Sequence, residues 1–192
     1  MPQNSVTDEA DSLSDEELVK KISKTHDPAL FGVLYDRYVS KVYNKCLMFT
    51  KNKNEAEDLT HDVFLKLYVN LSKFQGKSRF STWLYSICYN FCVNYANRKH
   101  NRTTKVEDLV AAEHEPEHDD HEVLSLSFEK LDMAMEQINA EHKAILLMKF
   151  LDNMSIKEIA AATDLGESAV KMRIKRAKAS LLKEYQKIQL TK

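Results

Sequence analysis

Apolar residues along this chain recur at every third or fourth position and never in sustained alternation, a pattern that predicts helices and no sheet. Ser14-Asp15-Glu16-Glu17 ahead of Leu18 forms a capping box that opens a short helix ending near Ser23. Pro28 then stands where a first helical turn tolerates it. From Ala29 to about Phe49 two rows interleave, Leu30, Leu34, Tyr38, Val42, Cys46 and Phe31, Tyr35, Val39, Tyr43, Leu47, which together make a wide stripe facing a core. Lys51 to Asn54 reads as a turn, with Asn54 and Glu57 capping the next helix. That helix sets Leu59, Val63, Leu67 and Leu71 on one face and Glu55, Glu57, Asp58, His61, Asp62 and Lys66 outside.

The stretch from Phe74 to Arg102 differs in chemistry. A loop, Phe74-Gln75-Gly76-Lys77-Ser78-Arg79-Phe80, sets a glycine and two cations between two aromatics. A helix follows with Ser81 as its expected N-cap, and Trp83, Ile87, Phe91 and Tyr95 recur beside Leu84, Cys88 and Cys92 on the apolar side. The other side is expected to carry Tyr89, Asn90, Asn94, Asn97 and Arg98, and no acid occurs between Cys92 and Lys105. Rings that stack on bases, amides that read base edges and cations that hold phosphates suit single-stranded nucleic acid. Trp83, Ile87 and Phe91 themselves are expected to serve the core.

Residues 103–126 break the periodicity. They are charged, interrupted by Pro116, and too polar to offset the entropy of ordering, so they read as a flexible linker. Such a coil would span about 25–30 Å relaxed and up to roughly 80–85 Å extended. His114, His118 and His121 have spacings seen in metal sites, but Pro116 interrupts them and no metal site is expected.

A second module is predicted from Ser127, with Phe128, Leu131, Met135 and Ile138 on one face, and Asn139 capping a helix that holds Ala144, Ile145, Leu147, Met148 and Leu151. Ser155-Ile156-Lys157-Glu158 is another capping box, Thr163-Asp164-Leu165-Gly166 a turn, and Glu167 to Lys183 a helix with Ala169, Val170, Ile174, Ala177 and Leu181 inward. Small residues, a turn and a helix with outward cations make a helix-turn-helix. Its groove-facing set is Ser168, Lys171, Met172, Arg173, Lys175, Arg176 and Lys178, the N-terminal members toward bases and the later ones toward phosphates.

Charge sharpens this picture. The net charge of −1 conceals six acids and no Lys or Arg in residues 1–17, eight acids and no Lys or Arg in 107–122, and six cations against one acid in 167–183. Basic surfaces separated by acidic tethers fit a nucleic-acid binder. Three cysteines are too few for a disulfide framework, and Cys88 and Cys92, four residues apart, are expected to pack as small hydrophobes. With no apolar run of membrane-spanning length and no signal-peptide pattern at the start, a soluble cytoplasmic protein is expected. No nucleophile motif or glycine-rich phosphate loop points to an enzyme, and no cofactor is expected.

Phe74-Gln75-Gly76 followed by Phe80-Ser81-Thr82-Trp83-Leu84-Tyr85, with Asn90 beyond, closely resembles the promoter-melting region of bacterial sigma factors of the extracytoplasmic-function group. Glu55 to Phe64 resembles that family's polymerase-binding helix, with His61 and Asp62 where Gln and Glu are commoner. Met154 to Leu181 resembles its minus-thirty-five-reading domain, although Ile138-Asn139 replaces the usual Leu-Pro, Gly166 a proline, and Asp164 a turn glycine. The resemblance implies an all-α protein of two small helical domains joined by the acidic linker, at residues 14–102 and 127–187. It implies minus-ten contacts from Phe74, Gln75, Gly76, Lys77, Ser78, Arg79, Asn90, Asn94 and Arg98, and polymerase contacts from Glu57, Asp58, His61, Asp62 and Phe64. The partners it implies are RNA polymerase core, promoter DNA and an anti-sigma factor. A free-standing helix-turn-helix regulator would account for residues 127–185 but leaves the Phe74 loop and the acidic helix without a role.

Overall fold

The computed structural model describes residues 10, 12–103 and 128–190, and every regular element among them is helical. Residues 104–126 of the expected linker, with its three histidines, lie outside the described residues, while Thr103 ends a helix. The chain divides into two compact units, Met1–Tyr95 and Ala96–Lys192.

The first unit is built from α1 (Asp15–Thr25), α2 (Pro28–Thr50), α3 (Lys53–Asn70), a 3₁₀ turn (Leu71–Lys73) and the opening turns of α4 (Phe80–Thr103). The Ser14/Glu17 capping box forms, and its hydrogen bonds, first from the Ser14 side chain and then from its backbone, hold the Glu17 carboxyl below its usual range. Asp27 caps α2 with Pro28 in the first turn. Asn52, not Asn54, caps α3: its side-chain oxygen accepts from the Glu55 N–H at 3.1 Å, while Lys51 closes α2 in the left-handed conformation at φ 56°. A second Asn two positions on obscured this choice in the sequence.

Leu18, Val19 and Ile22 of α1, Leu30, Leu34 and Val42 of α2, Leu59, Val63 and Leu67 of α3 and Phe80 and Leu84 of α4 share one core. Each fully buried aliphatic side chain contributes about 1.5–3 kcal/mol. The second row of α2, Phe31, Tyr35, Val39, Tyr43 and Leu47, is half-buried against its edge. Polar contacts tie α1 to α2. Arg37 donates to Asp15 Oδ1 at 2.8 Å and to the carbonyls of Leu13 and Ala10 at 3.0 Å each, and the Tyr38 hydroxyl donates to the other Asp15 oxygen. Burial and that bond together push the Tyr38 phenol far above its ordinary range.

The second unit holds α5 (Phe128–Gln137), α6 (Ala140–Leu146) running into a π turn (Leu147–Leu151), α7 (Ile156–Thr163) and α8 (Glu167–Leu190). Asn139 caps α6, and Ser155 and Glu158 form the expected box on α7. Asp164 ends α7 in the left-handed region at φ 55°, so aspartate does at this turn what glycine does elsewhere. Ala134, Ile138, Ile145, Met148, Ile159, Val170, Ile174, Ala177 and Tyr185 are buried. Three sequence expectations fail here. Phe128 is 89% exposed and Leu151 is 52% exposed, because α5 turns Ala134 inward and the π turn shifts the register after Leu147. Ala169 is exposed at a cleft of about 270 Å³ beside Glu141, His142, Met172 and Arg176, so only Val170, one residue on, is buried.

Candidate nucleic-acid interface

The Phe74 loop is a short exposed span between two fixed points. At one end the Phe74 N–H donates to the Leu71 carbonyl at 3.1 Å, and its ring sits 5.3 Å from Trp83 and 5.7 Å from Phe80. At the other end the Phe80 N–H donates to Glu16 Oε1 at 2.9 Å. A carboxylate from α1 therefore satisfies an orphan donor at the start of α4, where the helix dipole favours negative charge. Ser81 lies inside the helix and is not its cap; the Arg79 carbonyl accepts the first helical bond, from Trp83 at 3.2 Å. Between the anchors Gln75, Gly76, Lys77 and Arg79 are exposed, Ser78 is half-buried, and Gly76 adopts φ 67°, which a side chain would strain.

Beneath the loop is an aromatic cluster. Phe80 is fully buried, edge-on to Tyr38 at 5.4 Å and 6.1 Å from Trp83. Along α4, Leu84, Cys88 and Cys92 are the buried row, and Trp83, Ile87, Phe91 and Tyr95 are half-buried beside them. Asn90, Asn94, Asn97 and Arg98 lie outward on one helical face, at spacings of four, three and one. This face presents amides and a cation to solvent.

Tyr89 does not join that face. It is fully buried, and Lys45, itself only 5% exposed, donates to its hydroxyl at 3.3 Å. The same ammonium stands 4.2 Å from the Tyr85 ring centroid and 5.3 Å from that of Tyr89. A buried cation thus finds a hydroxyl and two ring faces, the setting in which cation–π attraction is largest. Local spacing does not reveal this pairing, because Lys45 and Tyr89 lie 44 residues apart on different helices.

On α3, Glu57, Asp58, His61 and Asp62 are exposed. Phe64 is not: it is 4% exposed and packs on Tyr35 with ring centroids 4.5 Å apart, so it steadies the helix and cannot meet a partner. Leu65 and Val69 take the outward positions instead, 66% and 74% exposed. Asp58, Asp62, Leu65 and Val69 follow helical spacing along one face. Their exposure marks an apolar strip beside carboxylates that periodicity alone had assigned to neither core nor surface.

In α8 the groove-facing set separates from the core as the spacing predicts. Ser168, Lys171, Met172, Lys175, Arg176 and Lys178 are exposed and Arg173 is half-buried, while Val170, Ile174 and Ala177 hold the helix down. The Lys178 ammonium lies 5.3 Å from the Phe150 ring. Lys171, Lys175 and Arg176 line the same exposed side of this 24-residue helix.

Two family models match the chain, Sigma-70 region 2 over residues 34–110 and Sigma-70 region 4 over 128–181, together more than half of its length. It is 27% identical over 179 residues to the ECF RNA polymerase sigma factor SigW of Bacillus subtilis, covering 86% of this chain and 94% of that protein. To the ECF RNA polymerase sigma-E factor of Escherichia coli K12 it is 29% identical over 182 residues, covering 90% and 94%. Among solved structures, the fold is similar to that of CnrH in its complex with the cytosolic domain of CnrY, with a TM-score of 0.59, 19% identity and 87% of this chain and 94% of that one covered. It is likewise similar to the sigma factor RpoE bound to the anti-sigma factor NepR from Bartonella quintana, with a TM-score of 0.58, 20% identity and coverage of 81% and 96%.

Proposed function

From the premise that this chain belongs to the sigma-70 family, within its extracytoplasmic-function group, we propose that it directs RNA polymerase core to specific promoters and captures the opened minus-ten strand. The observation that carries this reading is the pairing, in one chain, of the anchored Phe74 loop with the cationic recognition helix α8. The two domains at residues 14–102 and 127–187 then act in tandem, with 103–126 as their tether. The role is that of a binding subunit acting in the cytoplasm, where polymerase and DNA are. No described helix is long and apolar enough to cross a membrane.

Melting argues for the partner. Opening several base-pair steps at about 1.4 kcal/mol each costs roughly 5–10 kcal/mol, and one small module buries only about 600–1,000 Å² on DNA. Seated on polymerase, the loop need only trap bases that the larger assembly helps unpair. Gln75, Lys77, Ser78 and Arg79 hold the captured base and its phosphates, and Asn90, Asn94 and Arg98 track the strand. Glu57, Asp58, His61 and Asp62, with Leu65 and Val69, dock on the polymerase. An anti-sigma factor that covers these faces is the expected regulator.

In-vitro transcription with purified core polymerase on a genomic library tests the whole reading. Specific start sites should appear only when the protein is added; binding to DNA without any transcription would favour a free-standing regulator. For the polymerase face, Asp58→Arg should weaken co-elution with core enzyme while the far-ultraviolet dichroism stays unchanged, since it reverses an exposed charge without touching Leu59 or Val63. Unaltered co-elution would remove Asp58 from the interface. For the recognition helix, Arg176→Ala should weaken binding to all upstream sequences alike and reduce the salt slope by about one. Lys171→Ala should instead change which upstream sequence is preferred.

A further inference from the structure

Cys46, Cys88 and Cys92 are the only cysteines of the chain, and all three meet at one point in the first unit. Their sulfurs lie within 4.8 Å of one another, with Cys46 and Cys88 4.0 Å apart. Each is fully buried. Cys46 comes from α2 and the other two from adjacent turns of α4, so the cluster joins two helices. Packing explains small apolar volume at each position. It does not explain why every thiol in the protein converges within bonding reach of a common centre.

We propose that this triad is a binding site for a single thiophilic monovalent d¹⁰ ion, Cu(I), held by three thiolates in trigonal geometry. Metal–thiolate distances are about 2.3 Å, and three sulfurs at that radius in a plane stand about 4.0 Å apart. The Cys46–Cys88 edge already has that length, and the longest edge needs to close by less than about 1 Å. Soft thiolate donors select Cu(I), zinc or iron–sulfur clusters, and zinc and the clusters ask for four ligands. Among the described residues no histidine, aspartate or glutamate joins the three sulfurs. The neighbouring Thr60 hydroxyl donates to the Ala56 carbonyl at 2.6 Å and is a poor fourth donor. A closed three-sulfur set therefore favours the ion that is content with three.

Charge supports the same choice. Three thiolates around a monovalent cation carry a net −2, and the buried Lys45 ammonium, the residue before Cys46, offsets part of it inside the core. Binding displaces the thiol protons to solvent and changes the oxidation state of neither sulfur nor copper. Cys88 and Cys92 flank Asn90 on α4, so a bound ion would brace the DNA-facing segment of that helix against α2.

The test uses the full chain, reduced and anaerobic, titrated with Cu(I) supplied as its acetonitrile complex in competition with bicinchoninate. Because the triad is closed to solvent, a second sample is refolded from denaturant in the presence of the ion. The expected result is one copper per chain retained against the competitor, three sulfurs near 2.3 Å by X-ray absorption, and a raised melting temperature. Cys46→Ala should lower the affinity at least 100-fold with helicity retained. Should that variant fail to fold, the absorption spectrum of the unaltered chain still decides. Loss of all copper to bicinchoninate in both samples, coordination by two sulfurs or by nitrogen and oxygen, or stoichiometric Zn(II) uptake in preference to Cu(I) would each overturn the assignment. None of these readouts depends on transcription, so the site stands or falls apart from the sigma-factor reading.

Discussion

Replacing Phe80 by alanine is expected to destabilise the first unit by about 3–5 kcal/mol, the cost of deleting a fully buried aromatic ring. The ring touches Tyr38 from α2 and both Phe74 and Trp83, so its removal leaves a cavity bordered by aromatic rings that cannot all close in. A unit of this size shifts in melting temperature by roughly 4–8 °C per kcal/mol, and the loss should exceed 10 °C by calorimetry. Gln75→Ala, five residues earlier on the exposed loop, should stay within about 0.5 kcal/mol of the parent. A Phe80→Ala protein that melts within 3 °C of the parent would show that the aromatic cluster is not what supports the loop.

Introducing a carboxylate at Val170 should be as costly to the second unit. Val170 is fully buried where α8 packs on the rest of the helix-turn-helix, and an unpaired charge there has no partner among Ile159, Ile174 and Ala177. Desolvating it costs several kcal/mol, comparable to the whole stability of a small module. Hydrogen exchange on Val170→Asp should show amides of 128–190 losing protection while those of 15–92 keep theirs. Ala169→Asp, one residue earlier and exposed, should leave both units protected. Loss of protection throughout the chain would mean that the two units fold as one.

Much of this could be read in advance because helices announce themselves locally. The Ser14/Glu17 and Ser155/Glu158 boxes, the Pro28 start and the Asp164 turn each depend on residues within four positions, and the structure has them as the sequence implies. What escaped depends on distant partners. Tyr89 looks amphipathic until Lys45 is placed beside it, and Ser81 looks like a cap until Glu16 reaches across 64 residues to the Phe80 amide. Phe64 and Leu65 show the same limit: both are apolar, and only the packing of Phe64 against Tyr35 shows which of the two turns in. For the candidate site, residue types and spacing on α4 and α8 were legible, whereas the anchoring of the loop was not.

That anchoring bears on how such a protein can diversify. Because Leu71 holds the residue before the loop and Glu16 the residue after it, residues 75 and 77–79 can be exchanged around Gly76 without disturbing the helices on either side. The loop is a cassette: a lineage or an engineer could replace its four side chains to acquire a new base preference while the melting behaviour of the scaffold stays put. Glu16 itself lies outside the cassette and far from it in sequence, so a swap that included every loop residue but came with a changed α1 would lose the frame that makes the exchange harmless.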